Sequence, residues 1–242
     1  MVASRDYAEA LDVTSDIGER HIISMSPDTS YRTAVAVSEP SLAYRITKRV
    51  LDVVVAGGLL VVLSPLLAVV AIAIKATSPG PVVFRQQRVG KDLRIFTCLK
   101  FRSMVSDAEW ILEQDPELKA RHATNWKIAN DPRVTRVGRV IRRTSIDELP
   151  QLVNVLRGDM SLIGPRPYLP KELNDDFGCH AAVITQVRPG MTGLWQVSGR
   201  AHTTPMQRIE LDRTYAQEYG LAMDAHIVVQ TFKVVATTHG AF

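Results

Sequence analysis

Few of the residues that build disulfide or zinc frameworks are present. The 242 residues include two cysteines, Cys98 and Cys179, without a CxxC pair, and six histidines with no HxxxH or HxxEH spacing. That argues against a disulfide scaffold and against a zinc site. It suits a reducing compartment, with each cysteine expected as a small buried residue rather than a nucleophile. Aromatic residues are 6% of the chain and are not interleaved with the basic ones. With no zinc-finger or helix-turn-helix spacing either, the net charge of +4 does not point to nucleic acid. There is also no charged leader, apolar core and small-residue cleavage site at the N-terminus, so no signal peptide is read there. Residues 1–40 are polar and irregular, with prolines at 27 and 40, and are expected to form a mobile extension. No internal repeat is found.

What is present in quantity is one apolar run. After the basic lead-in Ser41–Arg49, Val50 to Ile74 carries a single charge, Asp52, and Val53–Ile74 gives 22 uncharged residues. That is enough for a helix to cross ~30 Å of hydrocarbon. Hydropathy alone therefore favours a plain transmembrane helix. Two features oppose it. Ser64-Pro65 falls mid-run, where proline removes a helix hydrogen bond, and the Ser64 hydroxyl could satisfy a freed carbonyl. Both flanks are basic, with Arg45, Lys48 and Arg49 before the run and Lys75, Arg85, Arg88 and Lys91 after it. A single crossing then has no preferred orientation, whereas a re-entrant helix kinked at Ser64-Pro65 keeps both flanks on one face. Asp52 needs a partner at that depth, and Lys48 and Arg49 on adjacent turns are the candidates.

Ser78-Pro-Gly-Pro81 reverses the chain. Val82–Phe84 and Arg94–Lys100 read as the strands of a hairpin turning at Gly90-Lys-Asp92. Residues 108–123 suggest an exposed helix pair broken at Pro116. Helical spacing recurs in Val134–Arg142, in Leu149–Leu156, in Pro205–Tyr219 and in the apolar Leu221–Val235, which either packs on the core or lies along a membrane. Gly164–Pro167, Arg188–Gly190 and Gly193 read as irregular loops. The fold class expected is α+β, mostly helical. It would be a monotopic membrane protein with a kinked re-entrant helix within 41–77, a small hairpin and amphipathic interfacial helices, and a cytoplasmic domain at 78–242.

The chemistry concentrates between Arg142 and Pro167. Asp147 and Glu148 are adjacent acids, with Arg142 and Arg143 one turn upstream and Arg166 and Asp159 downstream. Guanidinium forks hold phosphate oxygens, and carboxylates hold a hard cation that bridges to them. Ser145-Ile-Asp-Glu148 also fits a capping box ahead of an apolar segment, and alone that is the simpler explanation. Prolines on both sides of Arg166 fix its backbone, which helps a guanidinium meet a phosphate. Arg188-Pro-Gly190 is a similar turn, with Trp195 packed beneath it as the alternative.

Taken in order, the motifs resemble those of a known family. They are Lys48–Asp52, Leu63–Leu66, Phe84 with Gln87–Gly90, Leu99–Met104, Asp131–Arg133, Ser145–Gln151, Gly158–Ser161, Gly164–Pro167, Arg188–Gly190 and Gly193–Arg200. Over roughly residues 45–240 the chain resembles bacterial sugar transferases of the small monotopic polyprenyl-phosphate phosphoglycosyl transferase type.

The resemblance implies that Asp147 attacks the sugar-bearing phosphate of a UDP-hexose and releases UMP. Glu148 helps hold Mg2+, and undecaprenyl phosphate then takes the phosphosugar. It places functional charges at Arg142, Arg166, Arg188 and Asp212, with Lys100 and Arg102 as further substrate-binding candidates. It also implies a Ser64-Pro65 membrane kink, a bacterial inner-membrane location with the catalytic domain on the cytoplasmic face, and the compact form without an added N-terminal domain. A homodimer is compatible with it, and the product would pass to downstream glycosyltransferases in exopolysaccharide, capsule or O-antigen assembly. The rival from another class is a catalytically silent membrane scaffold for glycan assembly. Galactose and glucose are the expected sugars, and no residue separates them.

Overall fold

A computed structural model describes residues 40–124, 128, 130–177, 180–199 and 203–237. The expected extension (through residue 39), Cys179 and Arg200 lie outside them. One long helix, α1 (Leu42–Thr77), carries nearly the whole apolar run and absorbs the basic lead-in as its first two turns. Its N-cap is Ser41, whose hydroxyl accepts from the Tyr44 N–H at 3.2 Å. The helix continues past Pro65. Proline at 65 leaves the carbonyl of Val61 without its usual donor, and the Ser64 hydroxyl supplies one at 2.8 Å, as the sequence suggested.

The buried positions of α1 are Asp52, Ala56, Val70 and Ile74. With half-buried Leu60, Leu63 and Leu67 between them they recur every three to four residues, a single stripe along one helix face. On either side of Ser64-Pro65 that stripe packs against a different small core. Ala56 and Leu60 join Cys98, Leu152, Val155 and Met160. Leu67, Val70, Ala71 and Ile74 join Phe101, Ile141, Val137 and Ile146. The other faces are bare: Val54, Val61, Val62, Val69 and Ile72 are all exposed, and only 11% of the most apolar stretch is buried. A core helix of a soluble protein would be mostly covered, so α1 is a helix for an apolar solvent on three sides.

Polar anchors fix its first half. Asp52 accepts from the Ser161 hydroxyl (3.1 Å) and the Leu162 N–H (3.0 Å), so the expected pairing with Lys48 or Arg49 is corrected. Those cations are committed elsewhere. Lys48 pairs with buried Asp224 at 2.8 Å. Arg49 caps a helix end through the carbonyls of Val155 (2.7 Å) and Leu156 (2.8 Å). A carboxylate beside a strand end finds backbone and hydroxyl donors closer than a lysine one turn away.

The expected hairpin forms as β1 (Val83–Val89) and β2 (Ile95–Phe101), paired antiparallel, with a longer first strand than the sequence suggested. The exposed pair broken at Pro116 is α2 (Ala108–Gln114) and α3 (Pro116–Thr124). Next come α4 (Arg136–Arg143), capped by Thr135, a 3-10 turn Ile146–Glu148 and α5 (Gln151–Arg157).

Two features were not foreseen. β3 (Ser161–Ile163) and β4 (Gly190–Thr192) form a parallel pair where loops were expected. Asn154 of α5, fully buried, serves the free edge of β2: its side chain accepts from the Leu99 N–H (3.0 Å) and donates to the Thr97 carbonyl (2.8 Å). Asn154→Ala strands two half-buried backbone groups of β2. It is expected to destabilise the protein by roughly 2–5 kcal/mol, read as a lowered unfolding midpoint in detergent solution, and an unchanged midpoint would refute the bridging role.

The chain closes with α6 (Pro170–Asp176), α7 (His180–Ile184), α8 (Leu194–Val197), α9 (Pro205–Glu218) and α10 (Leu221–Thr237). Along α10, Asp224 and Ile227 point inward while Leu221, Val228, Val229 and Phe232 are exposed, so it packs on the core and still presents an apolar outer face.

Candidate active site

Asp147 and Glu148 lie half-buried in the 3-10 turn between α4 and α5. The capping box does not form. Ser145 takes a left-handed conformation (φ 57°) with no side-chain cap, so the acids start no helix and instead face the end of β2. Lys100, on that strand, donates to a Glu148 carboxylate oxygen at 2.9 Å. Asp147 is pushed up to about 6, first by burial and then by the adjacent Glu148 charge, while Lys100 and Arg142 pull it back down. The structure thus brings Lys100, Arg142, Asp147 and Glu148 together.

Arg166 is linked to this group through a shared neighbour. Beneath the site lies the buried Cys98 thiol, pushed up by burial and within electrostatic reach of Lys100, Arg88, Glu148 and Arg166. The loop carrying Arg166 is bonded through one backbone group of each of its residues from Gly164 to Tyr168. Gly164 N–H donates to the Thr192 carbonyl (2.9 Å), Gly190 N–H to the Pro165 carbonyl (2.7 Å), and Val89 N–H to the Tyr168 carbonyl (2.9 Å). Arg88 donates to the Pro167 carbonyl (2.9 Å), and Arg166 N–H to Asp212 (3.2 Å). With its backbone held this way, the Arg166 guanidinium lies over Trp195, 5.9 Å from the ring centroid.

Three expected substrate contacts stand elsewhere. Asp212 has no exposed surface. It accepts from the Tyr168 hydroxyl (2.6 Å) and the Arg166 N–H, so it positions the loop from beneath. Arg102 is buried, with its guanidinium on the Ser78 and Pro79 carbonyls at the C-terminal end of α1. It ties the helix to the domain. Arg188 is exposed, and its Nε donates to the Gly158 carbonyl (2.8 Å) at the far end of α5 from the acid pair.

Sequence reasoning used Arg88 only as part of the basic flank and gave no role to Tyr168 or Asn154. Arg88 fell inside the motif Gln87–Gly90 and Asn154 inside the helical segment Leu149–Leu156, and nothing local marks an arginine in a strand as buried.

Burial raises Asp212 to about 7, although its bonds with Tyr168 and the Arg166 N–H pull it down. Its carboxyl therefore protonates more readily folded than unfolded, where it titrates at 3.8. The stability it contributes is full below the unfolded pKa and is lost as pH rises toward 7, on the order of 4 kcal/mol over the window. Unfolding curves of wild type and Asp212→Asn between pH 4 and 8 should diverge by that order; parallel pH dependences would refute it.

Among the described residues no group of three or more metal-ligating side chains exists. The donor set at the acid pair is two carboxylates, both hard oxygen ligands. A small cation held there would complete its shell with water and substrate phosphate, which is the habit of Mg2+ and not of zinc or calcium.

An anchored apolar helix bare on three sides, beside a carboxylate pair in a field of fixed cations, is the arrangement of a membrane-anchored sugar transferase, and comparison with known proteins gives the family. The chain belongs to the bacterial sugar transferase family, whose profile matches residues 43–238. It is 43% identical over 206 residues to an undecaprenyl-phosphate galactose phosphotransferase of Salmonella typhimurium, covering 82% of this chain and 42% of that protein. It is 42% identical over 232 residues to the UDP-glucose:undecaprenyl-phosphate glucose-1-phosphate transferase of Caulobacter vibrioides, covering 92% and 82%. With the exopolysaccharide production protein ExoY of Sinorhizobium fredii it shares 37% over 225 residues, covering 90% and 99%. The chain thus spans about two fifths of the Salmonella relative and nearly all of ExoY.

Proposed function

We propose that the chain transfers a hexose-1-phosphate from a UDP-sugar to undecaprenyl phosphate, releasing UMP, as the first membrane step of exopolysaccharide, capsule or O-antigen synthesis. The observation that carries this is the half-buried Asp147–Glu148 pair facing Lys100 and Arg142, with Arg166 on a firmly held loop within electrostatic reach of the same Cys98 thiol as Lys100 and Glu148. The names of the relatives agree with it.

Asp147 is ionised at neutral pH yet poorly solvated, which favours attack. Its oxygen forms a bond to the sugar-bearing phosphorus, and the bridging P–O bond breaks, with the electron pair leaving on UMP. An oxygen of undecaprenyl phosphate then attacks the phosphosugar-aspartate. The Asp147–phosphorus bond breaks, the carboxylate is restored, and undecaprenyl-diphospho-hexose departs. Mg2+, held by Glu148 and Asp147, would neutralise diphosphate charge. Lys100, Arg142 and Arg166 lower the repulsion between the anionic nucleophile and the anionic donor, the main demand of phosphoryl transfer.

The membrane placement follows from α1. Both of its halves bind the same domain, so a straight crossing would drag charged parts of that domain into lipid. A re-entrant helix kinked at Ser64-Pro65 leaves both ends on the cytoplasmic face of the inner membrane and puts the acid pair at lipid-phosphate height. The exposed apolar faces of α1 and α10 then lie in or along the bilayer.

The test is UMP release by the full chain with Mg2+ and undecaprenyl phosphate, using UDP-galactose, UDP-glucose and UDP-N-acetyl sugars in parallel. Turnover with a hexose donor is expected, and no turnover across the panel would overturn the proposal. Tags at residues 1 and 242 should both be protected in sealed cells; one exposed tag would make α1 a simple span.

A further inference from the structure

Trp195 holds two arginines. Arg166 lies 5.9 Å and Arg208 5.1 Å from its ring centroid. Arg208 comes from the first half of α9. Its Nε donates to the Thr203 hydroxyl at 3.2 Å, and its two terminal nitrogens have no acceptor among the described residues. The Arg166 guanidinium likewise has no hydrogen-bond acceptor among the described residues; its backbone N–H is the group that bonds Asp212. Glu210, the nearest acid along α9, is turned to Arg213 at 3.6 Å.

Two uncommitted cations on one indole repel each other unless an anion joins them, and planar forks on an aromatic platform are suited to phosphate oxygens. Beyond Arg208, its partner Thr203 helps line an open groove of about 470 Å3, together with Ser198, Gln207, Glu210 and Leu211. The size falls in the range of small-ligand sites, and hydroxyl, amide and carboxylate groups are the usual partners of a ribose.

We propose that Arg166 and Arg208 form a two-fork clamp for the donor's diphosphate. Arg208 takes the nucleoside-bearing phosphate, and the groove beside it takes the nucleoside. This rests on the transferase function proposed above and gives the donor a direction. The sugar-bearing phosphorus lies by Asp147, followed by Arg166, Trp195, Arg208 and the groove. When the bridging bond breaks, the charge that develops on the departing UMP falls on Arg208.

The experiment is titration of full-length protein in detergent with UDP, UMP and uridine, each with Mg2+, beside UMP release by the same preparations. Arg208→Ala should weaken UDP and UMP about 10- to 100-fold, the loss of one charge-assisted contact. Uridine binding should stay within twofold, which general damage to the groove would not allow. Arg208→Lys keeps the cation without the fork and serves if the alanine variant folds poorly; it should retain uridine and lose several-fold on UDP. An Arg208 variant with wild-type UDP affinity, in a preparation whose wild type releases UMP, overturns the clamp alone. A wild type that neither binds UDP nor releases UMP overturns the transferase proposal with it.

Discussion

Asp147→Asn is expected to abolish UMP release, with a fall on the order of 10^4-fold or more, as removal of a covalent nucleophile does elsewhere. The substitution is nearly isosteric and removes one carboxylate from a half-buried site where burial and Glu148 already strain its charge. Folding should therefore survive, and the unfolding midpoint should hold or rise. A second measurement separates a nucleophile from a mere charge. Incubated with a UDP-hexose and no lipid acceptor, wild type should gain the mass of a hexose phosphate, whereas Asp147→Asn should not. Glu148→Gln should slow turnover by a smaller factor and still form the adduct, because the nucleophile remains while its neighbour's charge and the Lys100 ion pair are lost. Equal turnover in wild type and Asp147→Asn would sink the assignment.

The second large effect is expected far from any charge. A Cβ on Gly190 would lie 2.1 Å from the Gly164 nitrogen and 2.5 Å from the Thr192 carbonyl oxygen. On Gly164 it would lie 2.4 Å from the Arg188 carbonyl oxygen. Both are backbone contacts with no side chain to swing aside. Gly190→Ala must therefore part β3 from β4 and move the loop that carries Arg166. We expect at least about 3 kcal/mol of destabilisation, at the severe end of overpacking. UMP release should fall by roughly 100-fold from misplacement of the guanidinium. Gly220→Ala is the control: nothing lies within 4 Å of its added Cβ, and a change within about 0.5 kcal/mol is expected. Similar behaviour of the two variants would show that the glycine contact does not hold the loop.

Those glycines show where the sequence stops informing. Gly164, Gly190 and Gly193 read as turn residues, which is all that a local pattern can say. Their need to be glycine comes from one another, across strands three residues long whose pairing has no periodicity to detect. Asp52 is similar: the lysine and arginine on adjacent turns were the local candidates, and Ser161 and Leu162, more than a hundred positions away, are its partners. Arg102 was read as a substrate-binding candidate and Arg88 as part of the basic flank, and both are buried on backbone carbonyls. Ser145 met the capping-box spacing, and its backbone takes a conformation in which no cap forms.

The sequence by itself determined what local chemistry determines. An apolar run of 22 residues between basic flanks specifies one long helix compatible with a membrane anchor. Ser64 before Pro65 supplies the donor that Val61 needs. Alternation and turn residues specify the β1–β2 hairpin, and helical spacing specifies α4, α9 and α10. Adjacent acids among arginines marked the candidate site, and the order of motifs marked the family. Tertiary structure alone decided that α1 binds one domain through both of its halves, that Arg166 stands on a firmly held loop with Asp212 buried beneath it, and that Arg102 ties the end of α1 to the domain. It also decided that Trp195 gathers a second arginine. The reason is physical. Helix and strand periods are carried by neighbours in the chain, whereas the burial of a charge and its choice of partner depend on which distant backbone groups arrive beside it.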